Sequence, residues 1–272
     1  VMAAIRAIIV GEAHVVLAGG MESMSRVPYL LDARWGWRMG HQDAVDAMYR
    51  DGFVDPICGK VMGETAETLA ARYEITRDEQ DAYAARTQHR AEAAWRDGRF
   101  EREVAPVEIE TRKGTLTIER DEHPRAGVTT EGLAELKPVF DPDNGSVTAG
   151  NSSGITDGAA SMLVLAGETA DKLGVEPIAR WVSSRVDGVQ PEIMGIGPVP
   201  AVRNLLESTR VSLDDIDLIE LNEAFAAQVL AVDRELGFDP ERLNVNGGAI
   251  ALGHPIGCSG ARILVTLLHE MQ

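Results

Sequence analysis

His254 and Asn222 are the two side chains of this sequence whose types and surroundings best suit chemistry. An imidazole titrates near neutral pH, so His254 can act as a general base or activate a thiol by hydrogen bonding. Gly253 and Pro255 flank it and predict a stiff, close-fitting loop, in which a purely structural histidine is the plainer role. Asn222 follows Ile216 to Leu221, which reads as a strand, and opens Asn222-Glu-Ala-Phe-Ala-Ala, which reads as a helix start. From that edge its amide can donate to a developing oxyanion or hold a water that does so; its plainer role is an N-cap. The C-terminal edge of a strand in an open α/β sheet is where ligands bind.

Cys258 lies between Gly257 and Ser259, near a helix start that would lower a thiol's pKa and make it a nucleophile; the competing reading is a packed, inert thiol. Cys58 sits in no recognisable motif, and neither cysteine has a spacing that suits zinc. The glycines at 247, 248, 253, 257 and 260 form neither G-x-G-x-x-G nor a P-loop, which excludes a nucleotide-cradling loop of either kind.

The elements that must carry these residues follow from periodicity. Residues 1 to 9 read as a helix ended by Gly11, and His14 to Ala18 as a buried strand stopped by Gly19-Gly20. From Met24 to about Gly154 the pattern changes to many short helices, two tryptophans at 35 and 37, and a polar strand pair near Val104 to Ile118, which marks an inserted subdomain. Within it Thr76-Arg-Asp-Glu79 is a capping box opening a helix that runs through Trp95 to Gly98. Strands are predicted at Ala159 to Leu165 and Ile178 to Val186, and helices at Pro198 to Glu207 and Ala261 to Met271. The whole reads as an α/β protein.

The chain of 272 residues carries a formal net charge of −17, which disfavours nucleic-acid binding. No apolar run is long enough for a membrane helix, and the start lacks a signal-peptide pattern, so a cytoplasmic protein with free thiols is expected. Both termini fall inside amphipathic patterns without caps, which predicts a fragment cut at both ends.

Four segments, Ala18-Gly-Gly-Met-Glu-Ser-Met-Ser25, Val147-Thr-Ala-Gly-Asn-Ser-Ser-Gly154, Asn222-Glu-Ala-Phe-Ala226 and Gly253-His-Pro-Ile-Gly257, resemble thiolase signatures in family order across nearly the whole chain. The resemblance is strongest to the bacterial acetyl-CoA acetyltransferases of that family. It implies a layered α/β/α/β/α fold built from two similar halves. Residues 1–24 and 155–176 would belong to the N-terminal half, 25–154 would be an inserted loop domain that holds coenzyme A, and 177–272 would be a truncated C-terminal half. It also implies a ping-pong acyl transfer: a cysteine thiolate takes the acyl group from one acyl-CoA, and a second cysteine moves the proton on the other partner.

On this resemblance His254 would activate the nucleophile and, with a water held by Asn222, form an oxyanion hole. Arg125 would meet the nucleotide end of coenzyme A, with Arg120 adding to the local positive field, although these arginines can equally be a solvated charge cluster. Met62, Phe140, Ala149, Ser153 and Phe225 would line the pantetheine arm. Coenzyme A and acyl-CoA would be substrates, with no cofactor, and the assembly a homodimer or homotetramer. Both family cysteine motifs fall outside residues 1 to 272, and neither Cys58 nor Cys258 matches them, so the nucleophile is expected upstream of residue 1 and the stretch by itself is expected to be inactive. Val61 and Gly132 stand where some short-chain relatives carry histidine and serine, which bears on acetoacetyl-CoA preference. The competing readings are a non-catalytic thiolase-like lipid or CoA carrier and a ketoacyl synthase relative.

Overall fold

A computed structural model describes residues 1–272. In chain order the elements are α1 (Met2–Ile9), β1 (Val15–Ser23), β2 (Tyr29–Leu30), β3 (Val45–Asp46), α2 (Met62–Arg72), α3 (Arg77–Arg96), β4 (Val107–Thr111) and β5 (Gly114–Ile118). They continue with α4 (Thr130–Ala134), β6 (Asp157–Leu165), α5 (Gly167–Leu173), α6 (Pro198–Thr209), α7 (Ala226–Leu236), α8 (Ala249–Leu252) and α9 (Ile256–Glu270). The strands pair antiparallel as β1 with β6, β2 with β3 and β4 with β5.

Two clusters of apolar side chains hold the molecule together. In the first, Tyr83, Ala84 and Ala85 of α3 meet Val229 and Val232 of α7, Ile250 of α8, and Leu133. In the second, Ala66, Leu69 and Ala70 of α2 meet Ala227 and Ala231 of α7. Helix α7 is thus buried on both sides, which its run of small residues permits. The helices of residues 25–154 share both cores with the C-terminal helices.

The capping box at the head of α3 forms as its sequence dictates. Thr76 Oγ1 accepts from the Glu79 amide at 3.2 Å, and the Glu79 carboxylate accepts from the Thr76 amide at 2.7 Å. Gly98 closes that helix at φ +72°.

Five expectations need correction. Gly19-Gly20 does not stop β1, which runs on to Ser23 in register with β6. Each glycine makes room for a neighbour: a Cβ on Gly19 would stand 2.3 Å from the Ala160 carbonyl oxygen of β6, and one on Gly20 2.2 Å from the Gly257 carbonyl oxygen of α9, while one on Gly257 would stand 2.6 Å from that of Met21. Nor is β1 a buried strand, since Leu17 and Met21 are 72% and 71% exposed on the face away from α9. Residues 178–186 form no strand, because no neighbour offers them a ladder.

The segment Ile216 to Leu221 is extended but has a single parallel bridge, Ile219 with Leu243. Leu221 is instead paired by a side chain: Asn244 Oδ1 accepts from its amide at 2.8 Å and Asn244 Nδ2 donates to its carbonyl at 2.9 Å. Finally, α7 starts at Ala226 and not at Asn222, so Asn222 is not an N-cap. Residues 222–225 are drawn out of the helix by tertiary bonds. The Ser153 amide donates to the Ala224 carbonyl at 3.0 Å, and the Ala226 amide donates to that of Asn151 at 2.9 Å.

Candidate active site

Three loops converge at the head of α7 and α9. Ser152 bridges to Phe225, and the His254 amide donates to the Gly154 carbonyl at 3.2 Å, so backbone bonds join the segments around 153, 224 and 254. Gly253, at φ +93°, turns the chain into His254; a Cβ there would strike the Thr156 side chain at 2.4 Å. The result brings the Asn222 amide nitrogen within 3.3 Å of His254 Nε2. On the other side of the ring, Nδ1 lies 2.5 Å from Ser259 Oγ, in the first turn of α9.

Beneath this junction is Glu223, fully buried and without an ionic partner. Its carboxylate accepts from Tyr83 Oη at 2.8 Å, Thr87 Oγ1 at 2.9 Å, Asn244 Nδ2 at 2.8 Å and the Ile250 amide at 3.2 Å. These donors come from α3, α8 and the loop before α8, so one carboxylate fixes the position of the Asn222 loop against three other parts of the chain.

Asn222 and His254 border a cavity of about 670 Å³, the size of a site for a small organic ligand. Its walls are mostly apolar: Met24, Met48, Phe53, Leu69, Phe140 and Phe225 among them. Phe140 and Phe225 meet edge to face at 6.3 Å, and the Phe140 ring occupies the space that a side chain on Gly63 would fill. Two buried acceptors in the wall have no partner, Asn222 Oδ1 and Gln228 Oε1. Burial holds the His254 imidazole below its ordinary pKa, with the positive charge of Arg262 adding to the effect. The same two residues carry a neutral base and an amide into a mostly apolar, concave site.

Of the residues singled out from sequence, His254, Asn222, Met62, Phe140, Ser153 and Phe225 line this cavity, whereas Ala149 and Arg125 do not. Both of these are exposed; Arg125 is held by its backbone, whose amide donates to Gln88 Oε1 at 3.1 Å. Arg120 stacks over Trp95 at 5.1 Å. Cys258 is buried, and burial pushes its thiol up, so the expected lowering at a helix start is overturned by desolvation. Sequence reasoning missed Ser259, Glu223 and Gln228, because a serine, a glutamate and a glutamine inside helical or turn patterns read as ordinary polar positions.

An α/β chain whose converging loops close an apolar cavity around a histidine and an asparagine has the form of an enzyme site that pairs a base with an oxyanion donor. The chain matches the thiolase N-terminal domain over residues 1–168 and the thiolase C-terminal domain over residues 175–272. It is 56% identical over 268 residues to the acetyl-CoA acetyltransferase of Pseudomonas aeruginosa, covering 98% of this chain and 68% of that protein. Its fold superposes on the crystal structure of the Bacillus anthracis acetyl-CoA acetyltransferase with a TM-score of 0.96 at 49% identity, over 99% of this chain and 68% of that one. Against human mitochondrial 3-ketoacyl-CoA thiolase in complex with CoA the TM-score is 0.93 at 46% identity, over 98% and 66% of the two chains. This chain belongs to the thiolase family, and its layered α/β fold is the thiolase fold.

Proposed function

We propose that the protein is a thiolase-family acyltransferase that cleaves a 3-oxoacyl-CoA with coenzyme A, or runs the reverse Claisen condensation of acetyl-CoA, through an acyl-cysteine. The observation that carries the reading is the Asn222 and His254 pair at the wall of an apolar cavity of about 670 Å³. His254 Nε2 takes the proton of the nucleophilic thiol, and the thiolate attacks the 3-carbonyl carbon. The ring, now bearing that proton, donates to the oxyanion together with a water held by Asn222. Collapse of the adduct breaks the bond between carbons 2 and 3 as the acetyl-CoA carbanion takes a proton from the second cysteine that the family resemblance implies; the coenzyme A thiol then gives its proton to that cysteine's thiolate and removes the acyl group from sulfur.

The nucleophile is read as a cysteine upstream of residue 1, because Cys258 is buried with a raised pKa and Cys58 does not line the cavity. Met62, Phe140, Ser153 and Phe225 are assigned to the pantetheine arm, and Gln228 Oε1 is free to accept from one of its amide N–H groups. Arg125 and Ala149 remain proposals for contacts beyond the cavity mouth. Residues 25–154 are read as a loop domain, inserted in the N-terminal half, that holds coenzyme A. No helix is long and apolar enough to cross a membrane. A cytoplasmic homodimer or homotetramer working in fatty-acid β-oxidation is the setting proposed.

The test is acetoacetyl-CoA thiolysis by the complete protein. His254→Ala lowers kcat by up to about 10⁴-fold and Asn222→Ala by roughly 10²-fold. Unchanged turnover in both variants overturns the assignment. Tight coenzyme A binding by a wild-type protein that never turns over would establish a carrier instead.

A further inference from the structure

We propose that Ser259 is a positioning residue that holds the His254 proton on Nδ1 and leaves Nε2 as the unprotonated nitrogen facing Asn222. The inference rests on His254 as the base and concerns how that base is prepared.

Ser259 is 4% exposed and lies in the first turn of α9. Its hydroxyl is 2.9 Å from the Pro255 carbonyl four residues earlier and 2.5 Å from His254 Nδ1. A hydroxyl carries one proton and two lone pairs. The Pro255 oxygen can only accept, so the Ser259 proton goes there and the Ser259 oxygen receives Nδ1–H. Asn222 agrees from the opposite side, since its Nδ2 donates to Nε2 at 3.3 Å. The other tautomer needs two changes at once: the Ser259 hydroxyl turned from Pro255 to Nδ1, and the Asn222 amide turned over so that Oδ1 meets Nε2–H.

The choice of a hydroxyl has a chemical consequence. In a Ser-His-Asp triad a carboxylate fixes the ring and stabilises its charged form. A neutral hydroxyl fixes the tautomer without that charge. The buried ring can then stay neutral at rest, with Nε2 available to take a proton. Ser259 is fixed by its place one turn into α9, and Pro255 by its place at the N-cap of the same helix, so the orientation of the base is built into the head of one element.

The experiment is ¹⁵N-histidine labelling of this chain and long-range ¹⁵N–¹H correlation, with the His254 signals assigned through His254→Gln. The expected spectrum has Nδ1 protonated and Nε2 unprotonated. Ser259→Ala is expected to populate the Nε2–H form, and Ser259→Thr, which keeps the hydroxyl, to restore the wild-type pattern. A wild-type ring carrying its proton on Nε2 overturns the proposal, as does an unchanged Nδ1–H ring in a folded Ser259→Ala. The wild-type spectrum decides by itself if the alanine variant does not fold. In the complete protein Ser259→Ala is expected to lower kcat by roughly two- to tenfold with KM unchanged, as the competent fraction of the base falls. A wild type without thiolysis would remove the functional reading while leaving the tautomer result to stand or fall on its own spectrum.

Discussion

At His254, burial disfavours the imidazolium, so the ring is neutral at pH values where a free histidine is half charged. The acid limb of kcat/KM that reports this base is therefore expected below the ordinary value of 6.5. A pH profile whose limb lies above it contradicts the burial argument. The stability linkage has the same sign: the unfolded chain binds the proton more readily, so the contribution of the buried neutral ring is present above about 6.5 and lost as the pH falls through the lower folded value. Cys258 follows the opposite logic. A buried thiol with a raised pKa is a small apolar side chain, and Cys258→Ser is expected to leave thiolysis by the complete protein within about twofold of wild type while lowering the melting temperature. Loss of all turnover would make it the nucleophile. Residue types announced His254 and Asn222, since few side chains do acid-base or oxyanion chemistry. Their 3.3 Å contact was not legible, because it depends on two loops that meet only when the helices pack.

At the scale of elements, the site depends on how closely α9 approaches β1. Gly20 packs against the Gly257 carbonyl and Gly257 against that of Met21, which makes the β1 backbone at Gly20 and Met21 a packing surface for α9. Gly20→Ala would place a methyl 2.2 Å from the Gly257 oxygen and push away the first turn that carries Ser259 and orients His254. The expected cost is about 1–3 kcal/mol in urea unfolding, with thiolysis reduced beyond what the unfolded fraction explains. A variant with wild-type stability and rate would show that α9 moves freely. Glu223 is the second such device. Glu223→Ala leaves four donor groups from three parts of the chain without an acceptor, and is expected to cost about 3 kcal/mol or more in the same assay; Glu223→Gln, which keeps one acceptor, costs less. The capped helix α3 was legible because a capping box is local. The start of α7 was not, because the bonds that hold residues 222–225 extended come from the loop around Asn151, about 70 residues away in sequence.

For the molecule as a whole, burial of acids sets the response to pH. Burial pushes Glu220 up to about 8 and Glu103 up to about 7, against the attraction of Arg262. The folded chain thus holds protons that the unfolded chain releases above 4.5. This contribution is complete below 4.5 and is lost as the pH rises through about 8. The urea midpoint is expected to fall between about pH 5 and about pH 9, and Glu220→Gln to flatten the fall; a wild-type midpoint that rises over that range contradicts it. The chain spans about two thirds of the length of its acetyl-CoA acetyltransferase relatives, 68% for that of Pseudomonas aeruginosa. With neither of its cysteines placed as a nucleophile, the 272 residues are expected to give no thiolysis of acetoacetyl-CoA when folded. Robust turnover would require a nucleophile among them. The sequence by itself determined the family, the α/β class, the capped helix and the identity of the two polar residues at the cavity, because motifs, periodicity and caps are local in the chain. Tertiary structure alone decided that Asn222 leaves the helix, that Cys258 is buried, that Arg125 and Ala149 lie outside the cavity and that Ser259 Oγ lies against the histidine ring. Burial and hydrogen bonding between segments far apart in sequence set those outcomes, and no local pattern encodes them.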